Sequence, residues 1–434
     1  MAPTPDRVAQ ILLSRHSLDL VSCKTLQTLW AGYGQICAIT ARAMTDAAAK
    51  HVSALCGAGS AGSAGSTYPL ILKLISPPPL RKGAGGQSDE DEGHLRKMLS
   101  YEVELHFYAD VVPMLGDDIA VAKCLASTRD GVRRGEREEE EELRGLMAIV
   151  MADLRPRFPV AGGKRSALDC VQVRGALDWL ARFHARSWGL LRRGGGGGGD
   201  DERGEYVLPP LEESKRRRGN DAAGGSKLWL NGGYTYLATR RKEYASLAED
   251  FDSEWSEAMC RVPEGSTMSI AEMAALALTP CGRPVESYIH GDVKSENLFT
   301  TTKGDEVAFF DFQYVGLGLG VCDLAKLFTC SVPLHMLLDE DIDEPLPEEL
   351  TMCDGERGLL ERYRQSLLCN EESGRYEWED FKRHWETALV DWCRFQASWG
   401  FWGNTEWLEA RVRSILSDPA WRDWLYRSVS SRVG

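Results

Sequence analysis

Between Ile289 and Asp311 the chain reads I-H-G-D-V-K-S-E-N-L-F and closes on V-A-F-F-D, which sets a carboxylate at Asp292, an amide at Asn297 and a second carboxylate at Asp311. Phosphoryl transfer needs these parts and asks little covalent work of a protein. It requires an aligned hydroxyl, a base for its proton, and Mg²⁺ held against a triphosphate. Asp292 suits the base. Asn297 and Asp311 offer one neutral and one charged oxygen, the hard donors that such a cation prefers. Asp is also common in turns and caps, but here three groups coincide in spacing and in strand context.

The elements around these residues must bring them together. Asn297 to Thr301 reads as a strand, Lys303-Gly304-Asp305 as a turn, and Glu306 to Phe310 as the returning strand, which carries Asp311 back toward Asp292. Upstream, Tyr68 to Ile75 is a short apolar run holding one lysine, Lys73, before prolines at 77, 78 and 79. A buried lysine needs a partner, whereas a lysine on an edge strand faces water. The segment Tyr101 to Tyr108 is the next helix and carries Glu102 and Glu104. Residues two apart on a helix point to different faces, so only one of them can pair with Lys73.

H-G-D-x-K-x-x-N followed by D-F-Q-Y-V-G-x-G-x-G-V-x-D-L-A resembles the aminoglycoside phosphotransferase and choline kinase branch of the protein-kinase-like superfamily, nearest to its ecdysteroid-kinase-like (CHK kinase-like) members. The resemblance implies an α+β, two-lobed fold, with a small antiparallel-sheet N-lobe bearing one long helix and a larger, mainly helical C-lobe around one cleft. It implies residues 1–150 as the nucleotide-binding lobe and 151–434 as the catalytic and acceptor-binding lobe. It also implies an ATP- and Mg²⁺-dependent enzyme that phosphorylates a hydroxyl of a small molecule. Asp292, Asn297 and Asp311 match the base and metal positions, and Lys73 the lysine on the α and β phosphates. The resemblance implies Glu104 as the partner of Lys73, with Glu102 the alternative. Asp323 matches an Asp expected to support the catalytic loop. Lys294 sits where a cation reaches the transferring phosphate, or is a solvated loop lysine. Val150, Met151, Ala152 and Asp153, in the apolar run Leu146 to Leu154, fall at the hinge whose backbone reads adenine. Gly32 and Gly34 fit a phosphate-covering loop and equally a tight hairpin.

The departures narrow the acceptor. Gly291 stands where protein kinases carry the Arg of H-R-D, and Gln313 where they carry the Gly of D-F-G. Only eleven residues separate Asp311 from Asp323, too few for a long activation segment. A small acceptor suits this loop better than a peptide; the alternatives are an atypical protein kinase and a catalytically silent nucleotide-binding protein.

Acceptor specificity is expected after the hinge and toward the C-terminus. Leu228 to Ala258 carries Trp229, Tyr234 and Tyr236, and Glu377 to Trp407 carries six tryptophans. Trp378, Trp385, Trp392 and Trp399 recur every seven residues, on one helix face, which favours core packing over a pocket lining. Asp391 is an acidic group that could face a cationic acceptor and is left unassigned. Ala167 to Trp188 repeats apolar residues Val171, Leu177, Leu180 and Phe183 at helical spacing, and His184 near its end reads as structural.

At 434 residues and 43% hydrophobic composition the chain can bury a large core. Its net charge of −14 argues against a nucleic-acid partner, though acidic runs such as Glu138 to Glu142 account for much of it. Glycine-rich and charged stretches, Gly57 to Ser66, Gly83 to Gly93, Arg129 to Glu142 and Arg192 to Lys227, bury too little apolar area to order, so disorder is expected there. The basic run Lys215 to Arg218 reads as a solvated loop. Twelve cysteines without a C-x-x-C pair, no signal-peptide core and no membrane-length apolar run point to a reduced, cytoplasmic protein without a membrane partner.

Overall fold

The computed structural model describes residues 3–29, 32–57, 62–77, 92–129, 137–193, 206–218, 227–340, 345–369 and 376–433. Among them the chain divides into two compact units, Met1–Arg157 with Gly225–Lys227, and Phe158–Gly224 with Leu228–Gly434. The first unit is a small antiparallel sheet with one long helix and the second is larger and mainly helical, the α+β division expected from the sequence.

In the first unit the elements run α1 (Pro5–Ser14), β1 (Leu18–Thr28), β2 (Gly34–Ala43), α2 (Asp46–Leu55), β3 (Thr67–Ile75), α3 (Glu92–His106), α4 (Val112–Leu115), β4 (Cys124–Ser127), α5 (Arg137–Leu143) and β5 (Met147–Ala152). The strands form one sheet of order β1-β2-β3-β5-β4, every pair antiparallel. Side chains alternate across a strand, so Leu70, Leu72 and Leu74 of β3 enter one core with Val8, Ile11 and Leu12 of α1. Lys73 and Ile75 take the other face, where Ile75 packs with Tyr101 of α3. Residue 150, the boundary expected from the sequence, lies within β5, which is paired on both sides.

The second unit contains β6 (Val160–Ala161), α6 (Cys170–Arg193), α7 (Pro210–Arg218), α8 (Arg241–Ala248), α9 (Ile270–Leu278), β7 (Ser287–Ile289), β8 (Leu298–Thr300), β9 (Val307–Phe309), β10 (Gly316–Gly318), α10 (Val321–Cys330), α11 (Asp354–Leu368), α12 (Trp378–Trp399), α13 (Thr405–Ser417) and α14 (Pro419–Val433). The predicted hairpin is present: β8 pairs antiparallel with β9, and β6 adds to its edge. Helix α6 supports it from below, with Trp179 packed on Phe309 at 4.8 Å and Phe183 on Phe312 at 6.0 Å between ring centres. The periodic set of α6 holds at Leu177, Leu180 and Phe183, all buried, but Val171 in its first turn is exposed.

Two stretches expected to be disordered are helical. Residues 137–143 form α5, whose Leu143 is buried and whose Glu142 pairs with Arg7 at 2.7 Å. The basic run Lys215 to Arg218 is the last turn of α7, not a loop: Arg216 and Arg217 bind buried Glu213 at 2.6 and 2.8 Å. One buried carboxylate thus organises charges that composition alone reads as solvated. Gly57 to Ser66, also expected to be disordered, is described at 57 and 62–66 and is tied down there, the Gly65 N–H donating to the Ala43 carbonyl at 2.7 Å and the Ala64 N–H to Asp46 at 2.8 Å. The other glycine-rich and charged stretches lie largely outside the described residues, as do Pro78 and Pro79. Among the described residues no helix is long and apolar enough to cross a membrane.

Candidate active site

The loop after β7 is built from its backbone outward. His290 is fully buried between the loop and the hairpin. Its Nδ1 accepts the Asp292 N–H at 3.2 Å while its Nε2–H donates to the Phe310 carbonyl at 3.0 Å. These two bonds assign a neutral imidazole protonated on Nε2. Burial agrees, since it lowers the His290 pKa against the opposing pull of Asp323 and Asp292. Gly291 follows with φ +83, and a Cβ there would lie 2.4 Å from the Tyr314 carbonyl oxygen and 2.7 Å from the Gly233 nitrogen. The position where protein kinases carry Arg therefore admits only glycine here.

Asp323, at the start of α10, accepts the backbone N–H groups of His290 at 2.7 Å and Gly291 at 2.9 Å. Buried Lys326, one turn on, donates to the Gly291 carbonyl at 2.5 Å. Burial would raise the Asp323 pKa, but the His184 hydrogen bond at 3.2 Å and the charge of Lys326 hold it low. The supporting role expected of Asp323 and the structural role of His184 are both seen in these contacts.

Asp292 is thereby presented at the loop's tip, 8% exposed. Its carboxylate accepts from Asn297 Nδ2 at 2.9 Å and lies 3.1 Å from Lys294 Nζ. Lys294 also reaches Glu296 at 3.3 Å. Burial pulls the Lys294 ammonium down, and the two carboxylates more than reverse this, so it stays protonated. Asn297 spends its Nδ2 on Asp292, which turns Oδ1 away from that pair. Across the hairpin the Asn297 carbonyl accepts from Phe310 N–H at 3.0 Å, so Asp311 follows immediately beyond that bond. Asp311 adopts φ +67, a left-handed conformation that a β-branched residue resists and Asp tolerates. Gln313 donates to Asp311 Oδ1 at 2.7 Å and accepts the Trp229 indole N–H on its carbonyl at 2.9 Å.

The first unit holds the other expected group. Lys73, 5% exposed, bonds Glu104 at 2.5 Å and lies 5.7 Å from the Tyr101 ring centre. Tyr101 and Glu104 are three apart and share the helix face turned to Lys73; Glu102 does not. Gly34 has φ +151, and a Cβ there would strike the Leu74 carbonyl of β3 at 2.0 Å. The strand pairing alone requires that glycine. Gly32 sits at φ +73 in the hairpin turn, donating to the Leu29 carbonyl at 3.0 Å; Trp30 and Ala31 of this turn lie outside the described residues. Val150, Met151 and Ala152 belong to β5, and Ala152 N–H donates to Lys123 O at 2.9 Å. Of the four hinge candidates only Asp153 lies beyond the ladder, where it pairs with Arg155 at 2.6 Å.

Beside Asp292 the second unit encloses a cavity of about 310 Å³, with Tyr234, Trp392, Trp399 and Trp402 on its wall. The sequence pointed to Tyr234 but weighed the tryptophan stripe as core. Trp385 and Trp392 are indeed buried, at 0% and 4% exposure, whereas Trp399 is 59% exposed. Trp392 meets Trp402 edge-on at 5.5 Å. Lys164, Arg165, Lys326 and Cys330 also line the cavity, and no local motif marks them. Asp391 is spent on Arg394 at 2.9 Å. It therefore offers no unpaired carboxylate to a cationic acceptor.

Residues 95–350 match the sequence model of the phosphotransferase enzyme family. No curated protein matches the chain. Among solved structures it is similar to the macrolide 2'-phosphotransferase MphH from Brachybacterium faecium, at 13% identity over 98% of both chains and a TM-score of 0.39. It is similar also to choline kinase from Streptococcus pneumoniae, at 10% identity over 95% of this chain and 94% of that one, TM-score 0.36. An ethanolamine kinase from Plasmodium vivax matches at 10% identity over 94% and 84%, TM-score 0.33.

Proposed function

The chain belongs to the phosphotransferase enzyme family, and on that premise we propose that it is an ATP- and Mg²⁺-dependent kinase of a small-molecule alcohol, with Asp292 as its base. The observation that carries this reading is the Asp292 carboxylate, held by Asn297 at 2.9 Å and standing on the wall of a cavity of ligand size. A hydroxyl bound there gives its proton to Asp292 as its oxygen attacks the γ-phosphorus. The bond from that phosphorus to the β–γ bridging oxygen breaks, ADP leaves, and solvent later takes the proton from Asp292. Lys294 stays charged beside the transferring group and compensates the developing negative charge.

Asn297 Oδ1 and the Asp311 carboxylate suit a hard divalent cation. These two side chains would supply only part of a ligand set. That matches Mg²⁺, which keeps waters and substrate phosphates as ligands. When bound, Mg²⁺ neutralises phosphate charge. In the first unit, Lys73 held by Glu104 is the cation for nucleotide phosphates, Gly32 and Gly34 are the covering turn, and the backbone from Val150 to Asp153 is the adenine reader, with Asp153 the residue freest to serve. All twelve cysteines are free thiols, which supports a reducing, cytoplasmic setting.

The test is ATP consumption with Mg²⁺ across small alcohols, beside a protein mixture, for the natural chain and Asp292→Ala. Turnover of a small acceptor should fall by about a hundredfold or more in the variant while nucleotide binding persists. An undiminished rate removes Asp292 from the role, and labelling of protein alone removes the small acceptor.

A further inference from the structure

We infer that the cavity beside Asp292 takes an anionic alcohol with a ring-sized apolar body; this rests on the phosphotransferase reading above and names its substrate class. The argument is a charge inventory of the wall. Lys164, Arg165, Lys294 and Lys326 line the cavity against two carboxylates, Asp292 and Glu296. Lys294, at 3.1 and 3.3 Å from the two carboxylates, offsets one of their two charges, and Asn297 hydrogen-bonds Asp292 without adding charge. Lys326 is occupied by the Gly291 carbonyl. Among the described residues the Lys164 and Arg165 side chains form no ion pair, while the Glu296 carboxylate accepts the Arg165 backbone N–H at 3.1 Å, so two cations stand against the one carboxylate charge that Lys294 leaves. The uncompensated charge of the cavity is therefore positive.

The aromatic wall argues in the same direction. A cationic head group would seek ring faces. Here the chain's own cations use them: Lys326 Nζ lies 5.5 Å from the Tyr234 ring centre and 5.9 Å from that of Trp392, and the Arg240 guanidinium 5.3 Å from that of Trp399. Trp392, 4% exposed, has an indole N–H without an acceptor among the described residues. That N–H is sealed from the cavity, so it neither favours nor disfavours a ligand there; a cationic head group is disfavoured because the ring faces are already taken by the chain's own cations. The exposed Trp399 and the partly buried Trp402 supply flat apolar area for a ring, and a cavity near 310 Å³ holds one of modest size.

The experiment uses three benzyl alcohols whose para group is neutral, anionic or cationic: methyl para-(hydroxymethyl)benzoate, para-(hydroxymethyl)benzoate and para-(hydroxymethyl)benzyltrimethylammonium. Calorimetric titration of the full chain should rank the benzoate above the neutral compound by about tenfold and the ammonium last. Lys164→Ala with Arg165→Ala, both at exposed positions, should bring the benzoate-to-neutral ratio to about one. Lys164→Glu with Arg165→Glu should move the ammonium compound above the benzoate. Equal affinities in the natural chain, or an ammonium preference, overturn the inference. So does a double variant that weakens ATP binding but keeps the ranking, because the cations would then serve nucleotide. Absence of ATP turnover with every alcohol, while the benzoate still binds best, removes the phosphotransfer reading and leaves the anion site standing.

Discussion

His290 donates from Nε2 to the carbonyl of Phe310 at 3.0 Å, and this bond joins the loop of Asp292 to the strand that delivers Asp311. Its other nitrogen accepts the Asp292 N–H, so the ring works only in the neutral form. Removing it by His290→Ala strands two buried backbone groups and should cost about 2 kcal/mol of stability together with most of the activity. Urea unfolding and kcat report the two losses.

The same ring makes a prediction about pH. Burial sets the folded-state His290 pKa below its ordinary 6.5, and burial with Arg283 and Arg432 lowers that of His384 to about 3. Below pH 6.5 the unfolded chain binds protons that the folded chain refuses. The stability from these residues is therefore complete above that pH and is lost as pH falls toward the folded values. The urea midpoint should drop between about pH 7 and about pH 5, with a shallower slope in His290→Ala. A midpoint that rises on acidification would contradict this assignment.

Gly291→Ala tests the backbone constraint. The added Cβ meets the Tyr314 carbonyl oxygen at a φ that disfavours any side chain, a combined strain of about 1–3 kcal/mol. Because the strain falls on the residue before Asp292, kcat should decline more than thermal stability. A variant with natural kcat would show that the loop can relax around it.

Lys73 and Glu104 are both nearly buried, so losing one partner leaves an uncompensated charge. Glu104→Gln should destabilise the chain by about 3–5 kcal/mol. The double change Lys73→Met with Glu104→Leu should recover most of that stability, since a buried pair exchanged for apolar groups is nearly neutral. ATP affinity should not return with it. Recovery of both would make the pair purely structural.

Asp311→Asn keeps a residue that tolerates φ +67 but removes the charge. Changes to outer partners of a metal ligand already cost about tenfold in affinity, so loss of the ligand should raise the Mg²⁺ needed for half-maximal rate by more than about tenfold. Chelation should arrest the natural chain. A rate indifferent to chelator would remove the metal from the proposal.

Much of the site was legible in sequence because its parts lie close along the chain. Asp292, Asn297 and Asp311 sit within a loop and one hairpin, and hairpin pairing follows from alternating strands around Gly304. The helical period allowed only one of Glu102 and Glu104 to pair, the family resemblance selected Glu104, and Lys73 needed only a charge inside an apolar strand. The hinge was less legible, since recognition by backbone depends on which strand residues the ladder already uses, and β4 pairs with β5 from outside the local sequence.

What the sequence determined by itself is the set of local geometries: the Asp292–Asn297 spacing, the return of Asp311, and the common face of Trp378, Trp385, Trp392 and Trp399. The tertiary structure decided what each face meets. A seven-residue period aligns four indoles but cannot say that Trp385 enters the core while Trp399 stays exposed on the wall of a cavity. It cannot bring Lys164 and Arg165 from far upstream to that wall, pair Asp391 with Arg394, or crowd Gly291 against Tyr314. Spacing acts over a few residues through fixed backbone geometry, whereas the charge and shape of a pocket are sums over segments that only folding brings into contact.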